Sequence, residues 1–192
     1  MKKLIMICVI GMLFANTRNI IPENAVKGPK IIKHTNGRNI IPGNIPKGAK
    51  IDKQVLTIIW EKAIGGDDND SAYDIISTSD GNIAVTGYTY SYGLGGRDMW
   101  VMKLSQEGEI IWDVNFGKYY NDMGYAIKET DDGGFIVAGY TDVYSTVHRY
   151  MWMVRLDSNG KFLWEKVIDY DGFSIATDVI THDDGSIIIG GQ

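Results

Sequence analysis

Few residues in this chain have the type and spacing that chemistry requires, and the clearest group is an acidic loop. It contains Asp67, Asp68, Asn69 and Asp70, whose hard oxygen atoms are of the kind that binds Ca²⁺. The interval is not that of an EF-hand, and the equivalent loop one repeat later, KYYND, keeps only Asp122. The favoured interpretation is a turn in each loop, in which Asp70 or its equivalent Asp122 accepts hydrogen bonds from nearby backbone N–H groups.

The histidines show no catalytic or metal-binding pattern. His34, His148 and His182 have no partners at ligand spacing, and the chain contains no nucleophile-elbow motif. We therefore predict no catalytic residue, no metal site and no cofactor in this chain.

Two variable, tyrosine-bearing loops are better candidates for contact with a ligand. Residues 90–97 and 142–149 fall between predicted strands, and loops on a rigid scaffold often carry recognition. Tyrosine is well suited to contacts with proteins or glycans. The predicted ligand-binding residues are Tyr90, Tyr92, Arg97, Asp142, Tyr144 and Arg149.

The elements that position these loops follow from a repeat of 52 residues. Trp60, Trp112 and Trp164 share this spacing, SAYDIISTSDGNIAVTGYT returns as MGYAIKETDDGGFIVAGYT, and RDMWVMKLSQEGEIIW returns as RYMWMVRLDSNGKFLW. A fixed period of this length indicates a repeat architecture. The constant phase of these tryptophans within strands, and that of Trp100 and Trp152, favours a buried core between units over a sugar-stacking surface.

Each repeat unit is predicted to form four short strands. An Asp-Gly hairpin turn joins the first two, and a four-residue turn ending in Gly joins the last two. Gly87, in the second strand, marks a place where a neighbouring backbone or ring comes close. Four antiparallel strands in one such unit are typical of a β-propeller blade. The hairpin-turn residues are Asp80, Gly81, Asp132, Gly133, Asp184 and Gly185.

The sequence therefore predicts an all-β fold over residues 54–192, an incomplete arc of a β-propeller with about two and a half blades. A single strand at 55–65, which corresponds to the fourth strand of a unit, comes first. It is followed by blade 1 at about 70–116, blade 2 at about 122–168 and part of blade 3 at about 174–192. Closed propellers contain roughly four to eight blades. We expect the remaining blades to come from the same longer chain or from self-association.

The repeat also resembles a known family. GGDDNDSAYDIISTSDGNIAVTGYT is similar to the repeats of bacterial secreted β-propeller proteins, which run from a Gly-Gly-x-x-x-Asp loop to a Val-Thr-Gly-Tyr-Thr strand. More weakly, LDSNGKFLWEK resembles the tryptophan-docking segment of pyrroloquinoline quinone propellers, with Trp164 in the docking position. The resemblance covers residues 55–192 and implies a propeller fold. It implies no single activity, because secreted propellers of this kind include lectin-like and adhesive members.

The N-terminus has the pattern of a secretory signal peptide over residues 1–15. Two lysines precede the apolar run 4–14, and a candidate cleavage site follows Ala15. An uncleaved anchor is the alternative, because Leu13 stands where a small residue is preferred. Cleavage would remove Cys8, the only cysteine, so that the mature chain would have no disulfide.

Residues 16–53 are predicted to form a basic linker. They contain all four prolines and an internal duplication, RNIIPENAVKGPKI and RNIIPGNIPKGAKI. They carry eight Lys or Arg against two acidic residues, a net charge of +6, whereas residues 54–192 carry nine against 22, a net charge of −13. An acidic body repels phosphates, so we predict no nucleic-acid partner. The linker is interpreted as a solvated tether, or alternatively as an arm that contacts anionic lipid or cell-wall polymer.

Two functions are compatible with these observations. We favour a secreted, periplasmic or cell-surface propeller without catalytic activity, whose loops bind an as yet unknown protein or glycan. The alternative is the N-terminal part of a quinone- or metal-dependent propeller enzyme whose catalytic residues lie in other blades. In that enzyme Asp74 and Asp178 would point toward the central channel.

Overall fold

The computed structural model of the chain describes residues 5–12, 56–143, 148–169 and 172–192. All regular structure in these residues is β, which confirms the predicted all-β class, and no helix in them could cross a membrane. The strands are β1 (Ile5–Met12), β2 (Leu56–Ile64), β3 (Asp70–Ser77), β4 (Ile83–Thr89), β5 (Asp98–Leu104), β6 (Ile110–Phe116), β7 (Asp122–Glu129), β8 (Phe135–Asp142), β9 (Arg149–Leu156), β10 (Phe162–Ile168), β11 (Ala176–Thr181) and β12 (Ile187–Gly191).

Strands β3 to β12 form two successive units of the 52-residue repeat and the start of a third. Sheet 1 contains β3, β4, β5 and β6 in that order, and sheet 2 contains β7, β8, β9 and β10. Each is an antiparallel meander, so the predicted four-stranded antiparallel unit is confirmed. Strands β11 and β12 form a further antiparallel pair, called hairpin 3 below.

The chain divides into two compact units. One contains Met1–Ile7 and Lys62–Gln192, and therefore sheet 1, sheet 2 and hairpin 3; the other is Cys8–Glu61. Strands β1 and β2 pair with each other in a two-stranded sheet. The sequence analysis does not predict β1, and its assignment of a signal peptide there stays a prediction. The predicted linker, 16–53, lies outside the described residues.

Sheet 1 and sheet 2 pack face to face through an apolar core. Met99 and Val101 of sheet 1 are fully buried against Phe135 and Val137 of sheet 2. Trp112 on β6 packs against the same cluster, with its ring centroid 5.7 Å from that of Phe135. A second cluster joins sheet 2 to hairpin 3 and includes Ala126, Ile136, Ala138, Ala176 and Val179. Each sheet is therefore stabilised by the next unit in the chain, as in repeat proteins generally.

Polar contacts between sheets 1 and 2 add to this packing. The Trp112 Nε1–H donates to the carbonyl oxygen of Ser158 at 3.2 Å, and the backbone N–H and hydroxyl of Ser79 donate to the carboxylate of Glu129 at 2.7 and 2.9 Å. The backbone N–H of Asp122 donates to the carbonyl of Arg97 at 2.7 Å. The equivalent bond one repeat later, from Ser174 to Arg149, joins sheet 2 to hairpin 3 at the same distance.

The five tryptophans differ in burial. Trp60, Trp100 and Trp152 are buried, and the indole N–H groups of the last two donate to Asp113 and Glu165. Trp112 is half-buried between the sheets. Trp164, its equivalent in sheet 2, is 40% exposed.

The three hairpin turns share one geometry. Gly81, Gly133 and Gly185 have φ of 81°, 76° and 79°, and each donates its N–H to the carbonyl of the third residue before it. This left-handed conformation favours glycine. Asp80 and Asp132, in the first two turns, pair with Lys103 and Arg155, both at 2.7 Å. Asp184, in the third, accepts hydrogen bonds from the backbone and the hydroxyl of Ser186.

Candidate ligand-binding surface

Two β-bulges position a pair of tyrosines at the junction of sheets 1 and 2. The register of β3 with β4 passes from Ala72 to Asp74, and that of β7 with β8 from Gly124 to Ala126. Tyr73 and Tyr125 are therefore the extra, unpaired residues of equivalent bulges. Because a bulge re-aims its side chain, these two rings meet across the sheet junction, with centroids 4.8 Å apart.

Each bulge brings its strand close to a glycine on the neighbouring strand. A Cβ on Gly87 would clash with the backbone carbonyl of Ser71, and a Cβ on Gly139 would clash with that of Met123. The predicted close approach at Gly87 is therefore confirmed, and its cause is backbone rather than a ring. A side chain at either glycine would displace the bulge and with it the tyrosine.

A continuous row of five tyrosines extends from this pair; it is called the tyrosine row below. In order its rings are Tyr90, Tyr88, Tyr73, Tyr125 and Tyr140, with successive centroid distances of 5.7, 5.9, 4.8 and 6.0 Å. Tyr73 and Tyr90 are 47% and 38% exposed, whereas Tyr88 and Tyr140 are buried. The row therefore has an accessible end on sheet 1 that is held by a buried end on sheet 2.

The buried end stays protonated at ordinary pH. Burial raises the pKa of Tyr140 to about 12, because desolvation disfavours the phenolate. Its hydroxyl donates to the sulfur of Met123 at 2.8 Å. Burial likewise raises the pKa of Tyr73, and the neighbouring Tyr125 and Tyr88 contribute.

Two arginines at equivalent repeat positions lie over rings of the row. The guanidinium carbon of Arg97 is 5.0 Å from the ring centroid of Tyr88 and 5.5 Å from that of Tyr90. That of Arg149 is 3.8 Å from the centroid of Tyr140. These are cation–π distances, so both arginines are oriented by aromatic faces.

The two guanidinium groups differ in their partners. The Arg149 Nε–H donates to Asp142 Oδ1 at 3.0 Å, and this carboxylate is itself buried. The residue equivalent to Asp142 in sheet 1 is Tyr90, which has no carboxylate. Arg97 Nε is buried and has no hydrogen-bond partner among the described residues. The rest of its guanidinium is engaged, because Nη1 donates to the sulfur of Met123 at 3.6 Å and the group is hydrogen-bonded to the Tyr140 hydroxyl.

The acidic loop is built as a turn. Asp70 accepts hydrogen bonds from the backbone N–H of Gly66 at 2.9 Å and from the hydroxyl of Thr89 at 2.5 Å, and Asp122 accepts one from the backbone of Lys118 at 3.0 Å. The predicted use of these carboxylates in local turns is therefore confirmed. Among the described residues no group of three or more His, Cys, Asp or Glu is placed to hold a metal ion.

A pair of buried carboxylates lies near the acidic turn. A Cβ on Gly117 would clash with Asp98 Oδ1 and lie 2.8 Å from Asp122 Oδ2, so both carboxylates border this glycine. The pKa of Asp98 is raised to about 6, mainly by burial and in part by the charge on Asp122, while the N–H of Leu94 opposes the shift. The pKa of Asp122 is also raised by its burial. We therefore expect the stability of the junction between the two sheets to depend on pH.

A cavity of about 650 Å³ lies beside this junction, and two carboxylates of its lining already accept hydrogen bonds. Glu165 accepts from Trp152 at 2.8 Å, and Asp142 accepts from Arg149 and from Asn121. The cavity therefore contributes less to the candidate site than the tyrosine row, where Arg97 Nε has no acceptor.

The two aspartates that would face a central channel in the enzyme alternative, Asp74 and Asp178, accept hydrogen bonds from backbone N–H groups. Asp74 accepts from the N–H of Ile75 and, across the sheet junction, from that of Ile127, both at 2.8 Å. Asp178 accepts from the N–H of Val179 at 2.8 Å. Both carboxylates thus have local structural roles in the described part of the chain.

The structure brings some of the predicted ligand-binding residues together and separates others. Tyr90 and Arg97 belong to the accessible end of the tyrosine row, whereas Asp142 and Arg149 form an internal ion pair beside Tyr140. Tyr92 lies apart from the row, with its ring 5.5 Å from that of Trp100. Tyr144 lies outside the described residues.

Sequence reasoning missed Tyr73 and Tyr125 as site residues. Their recurrence could have indicated them, because they occupy the same position in successive repeats.

Comparisons with protein families and with curated proteins found no match for this chain.

Proposed function

We propose that this chain is a non-catalytic binding module of the β-propeller type, which contacts a glycan or protein ligand through the accessible end of its tyrosine row. The observation that carries this proposal is the group formed by Tyr73, Tyr90 and Arg97. It combines two exposed rings with a guanidinium group whose Nε has no acceptor among the described residues.

The group is suited to binding because neighbouring rings hold most of it in place before a ligand arrives. Tyr73 is held by a bulge and by the ring of Tyr125, and Arg97 by the rings of Tyr88 and Tyr90. Tyrosine also has only two side-chain torsions, so it supplies contact area at a low entropic cost. A ligand would therefore meet a largely preformed surface.

The propeller assignment is supported by the repetition of contacts. Sheet 2 covers Trp112 of sheet 1, and the same backbone bond links sheet 1 to sheet 2 and sheet 2 to hairpin 3. The ring of Trp164 borders hairpin 3, the start of the third unit, and is still 40% exposed. In a propeller, further blades from a longer chain or from another copy would cover it.

The proposed site of action is the cell surface or the periplasm. Its support is the sequence pattern of residues 1–15, with Lys2 and Lys3 before an apolar run. The acidic body gives no surface-wide attraction for nucleic acids.

An array of glycans and purified extracellular proteins, probed with the full chain, tests this function. The double variant Tyr73→Ala/Tyr90→Ala should lose binding by about 30-fold or more, the loss expected for aromatic hot spots. The matched control is Tyr119→Ala, which removes a ring that is 80% exposed and is not one of the five rings of the tyrosine row. It should bind as wild type does.

Thermal unfolding of the same proteins completes the test. Because the substituted side chains are partly or largely exposed, both variants should change the free energy of unfolding by less than about 1 kcal/mol. Unchanged array binding by the double variant would refute the proposed surface. Loss of binding in proportion to loss of folded protein would refute it as well.

A further inference from the structure

The repeat supplies an internal comparison for Arg97. In sheet 2 the equivalent arginine donates its Nε–H to the buried carboxylate of Asp142, and its guanidinium lies over Tyr140. In sheet 1 the aromatic half of this arrangement is retained, with Arg97 over Tyr88, but the carboxylate is replaced by Tyr90. The Nε that the carboxylate would satisfy is buried without a partner among the described residues.

We propose that Arg97 binds the carboxylate of an acidic sugar, such as a uronic acid, which takes the place that Asp142 occupies beside Arg149. This inference rests on the proposed binding function of the tyrosine row and specifies the chemistry of its ligand. The guanidinium fork matches a carboxylate in a bidentate geometry.

The surroundings of Arg97 favour one carboxylate on an otherwise neutral sugar over a polyanion. Residues 54–192 carry a net charge of −13, which disfavours a densely charged chain. The rings of Tyr73 and Tyr90 offer apolar surface for the C–H face of a pyranose beside the guanidinium. An acidic peptide would use the guanidinium but would not need those rings.

Access to Nε requires a small movement. Tyr90 is one of the two rings over the guanidinium and is 38% exposed. Exposed side chains change rotamer within nanoseconds, so a displacement of this ring admits the carboxylate without a change in the sheet.

The experiment is an NMR titration that follows the Nε–Hε resonance of each arginine in the full chain. The probes are sodium glucuronate, its neutral methyl ester, glucose and sodium acetate. Glucuronate should shift the Arg97 resonance saturably and leave that of Arg149 unchanged, because the latter Nε already has Asp142. The ester and glucose should produce no saturable shift.

A matched pair of variants isolates the charge. Tyr90→Asp supplies the carboxylate that sheet 2 has at this position, and Tyr90→Asn has nearly the same shape without the charge. Both variants lose the Tyr90 ring and should bind glucuronate more weakly than wild type. Glucuronate should still shift Arg97 in the Asn variant, and its affinity for the Asp variant should be at least about 10-fold lower than for the Asn variant. Arg97→Lys should also lose at least about 10-fold, because lysine has no fork for a bidentate contact. Lys128→Gln, on the exposed face of β7, is the control for loss of a positive charge.

Each result has a definite consequence. Equal shifts with glucuronate and its ester, no shift with either, or equal behaviour of the two Tyr90 variants would overturn the carboxylate assignment. Acetate that binds as tightly as glucuronate would overturn the assignment to a sugar. If array binding depends on Tyr73 and Tyr90 but neither glucuronate nor acetate shifts the Arg97 resonance, only this inference fails. If Arg97 takes glucuronate but array binding is indifferent to the two tyrosines, the proposed function fails instead.

Discussion

A methyl group added at Gly160 probes the packing of sheet 1 against sheet 2. Gly160 lies in the turn before β10 with φ of 78°, and a Cβ there would be 2.7–3.1 Å from three atoms of the Trp112 ring. That ring cannot easily move, because its N–H donates to Ser158 and its face meets Phe135. Alanine at this position should therefore be strained in two independent ways.

The two contributions can be separated with a control glycine. A left-handed conformation costs an alanine about 1–2 kcal/mol, and overpacking adds about 1–3 kcal/mol, so Gly160→Ala should cost about 2–5 kcal/mol. Gly133→Ala has the same backbone conformation, with φ of 76°, but its Cβ would meet only the Cβ of Ser158, at 3.7 Å. It should cost the backbone contribution alone, about 1–2 kcal/mol.

A double-mutant cycle identifies the clash with the indole. In a Trp112→Ala background, Gly160→Ala should cost no more than Gly133→Ala, which gives a coupling energy of about 1–3 kcal/mol between positions 112 and 160. Urea unfolding followed by far-ultraviolet circular dichroism measures all five proteins. Equal costs for the two glycine variants, or a coupling below about 0.5 kcal/mol, would show that the sheets do not pack in this way.

Three further predictions follow from the same contacts. Trp112→Ala should cost about 3 kcal/mol in urea unfolding and Trp164→Ala less, because the ring of Trp164 is 40% exposed; a larger cost at Trp164 would contradict the order of burial. The folded pKa of Asp98 is raised to about 6, so stability from this group is present below its unfolded pKa and is lost as pH rises to about 6. Asp98→Asn should therefore gain up to about 3 kcal/mol relative to wild type between pH 4 and pH 7, and a constant difference across this range would refute the assignment. Asp132→Asn removes a carboxylate whose pKa is lowered to about 2 by Thr130, Gly134 and Arg155. Because this side chain is 66% exposed and solvent screens its interactions, the loss at pH 7 should be only about 1 kcal/mol. The loss should vanish as the pH falls through 2, and a loss that persists at lower pH would show that it does not come from the charge.

The strands could be predicted because their signals are short-range. The turns that contain Gly81 and Gly133 follow from Asp-Gly pairs flanked by alternating apolar residues, and these patterns recur at a fixed period. The local role of Asp70 was predictable for the same reason, since its partner Gly66 is four residues away.

The tyrosine row could not be predicted because it depends on tertiary register. A bulge breaks the alternation on which strand predictions rely, so the direction of Tyr73 follows from its pairing with β4 and not from its own neighbours. Trp112 and Trp164 share a repeat position but differ in burial, because burial depends on what covers the ring. The contrast between Arg97 and Arg149 likewise appears only when their partners, separated along the chain, are seen together.

The most direct test of the proposed binding surface is a ¹⁹F NMR titration of the chain labelled with 3-fluorotyrosine, using the best ligand from the array. The resonances of its 11 tyrosines can be assigned by Tyr→Phe variants. We expect saturable shifts at Tyr73 and Tyr90, a smaller shift at Tyr125 and none at Tyr119. A ligand that shifts Tyr119 and leaves Tyr73 and Tyr90 unchanged would contradict the proposed binding surface.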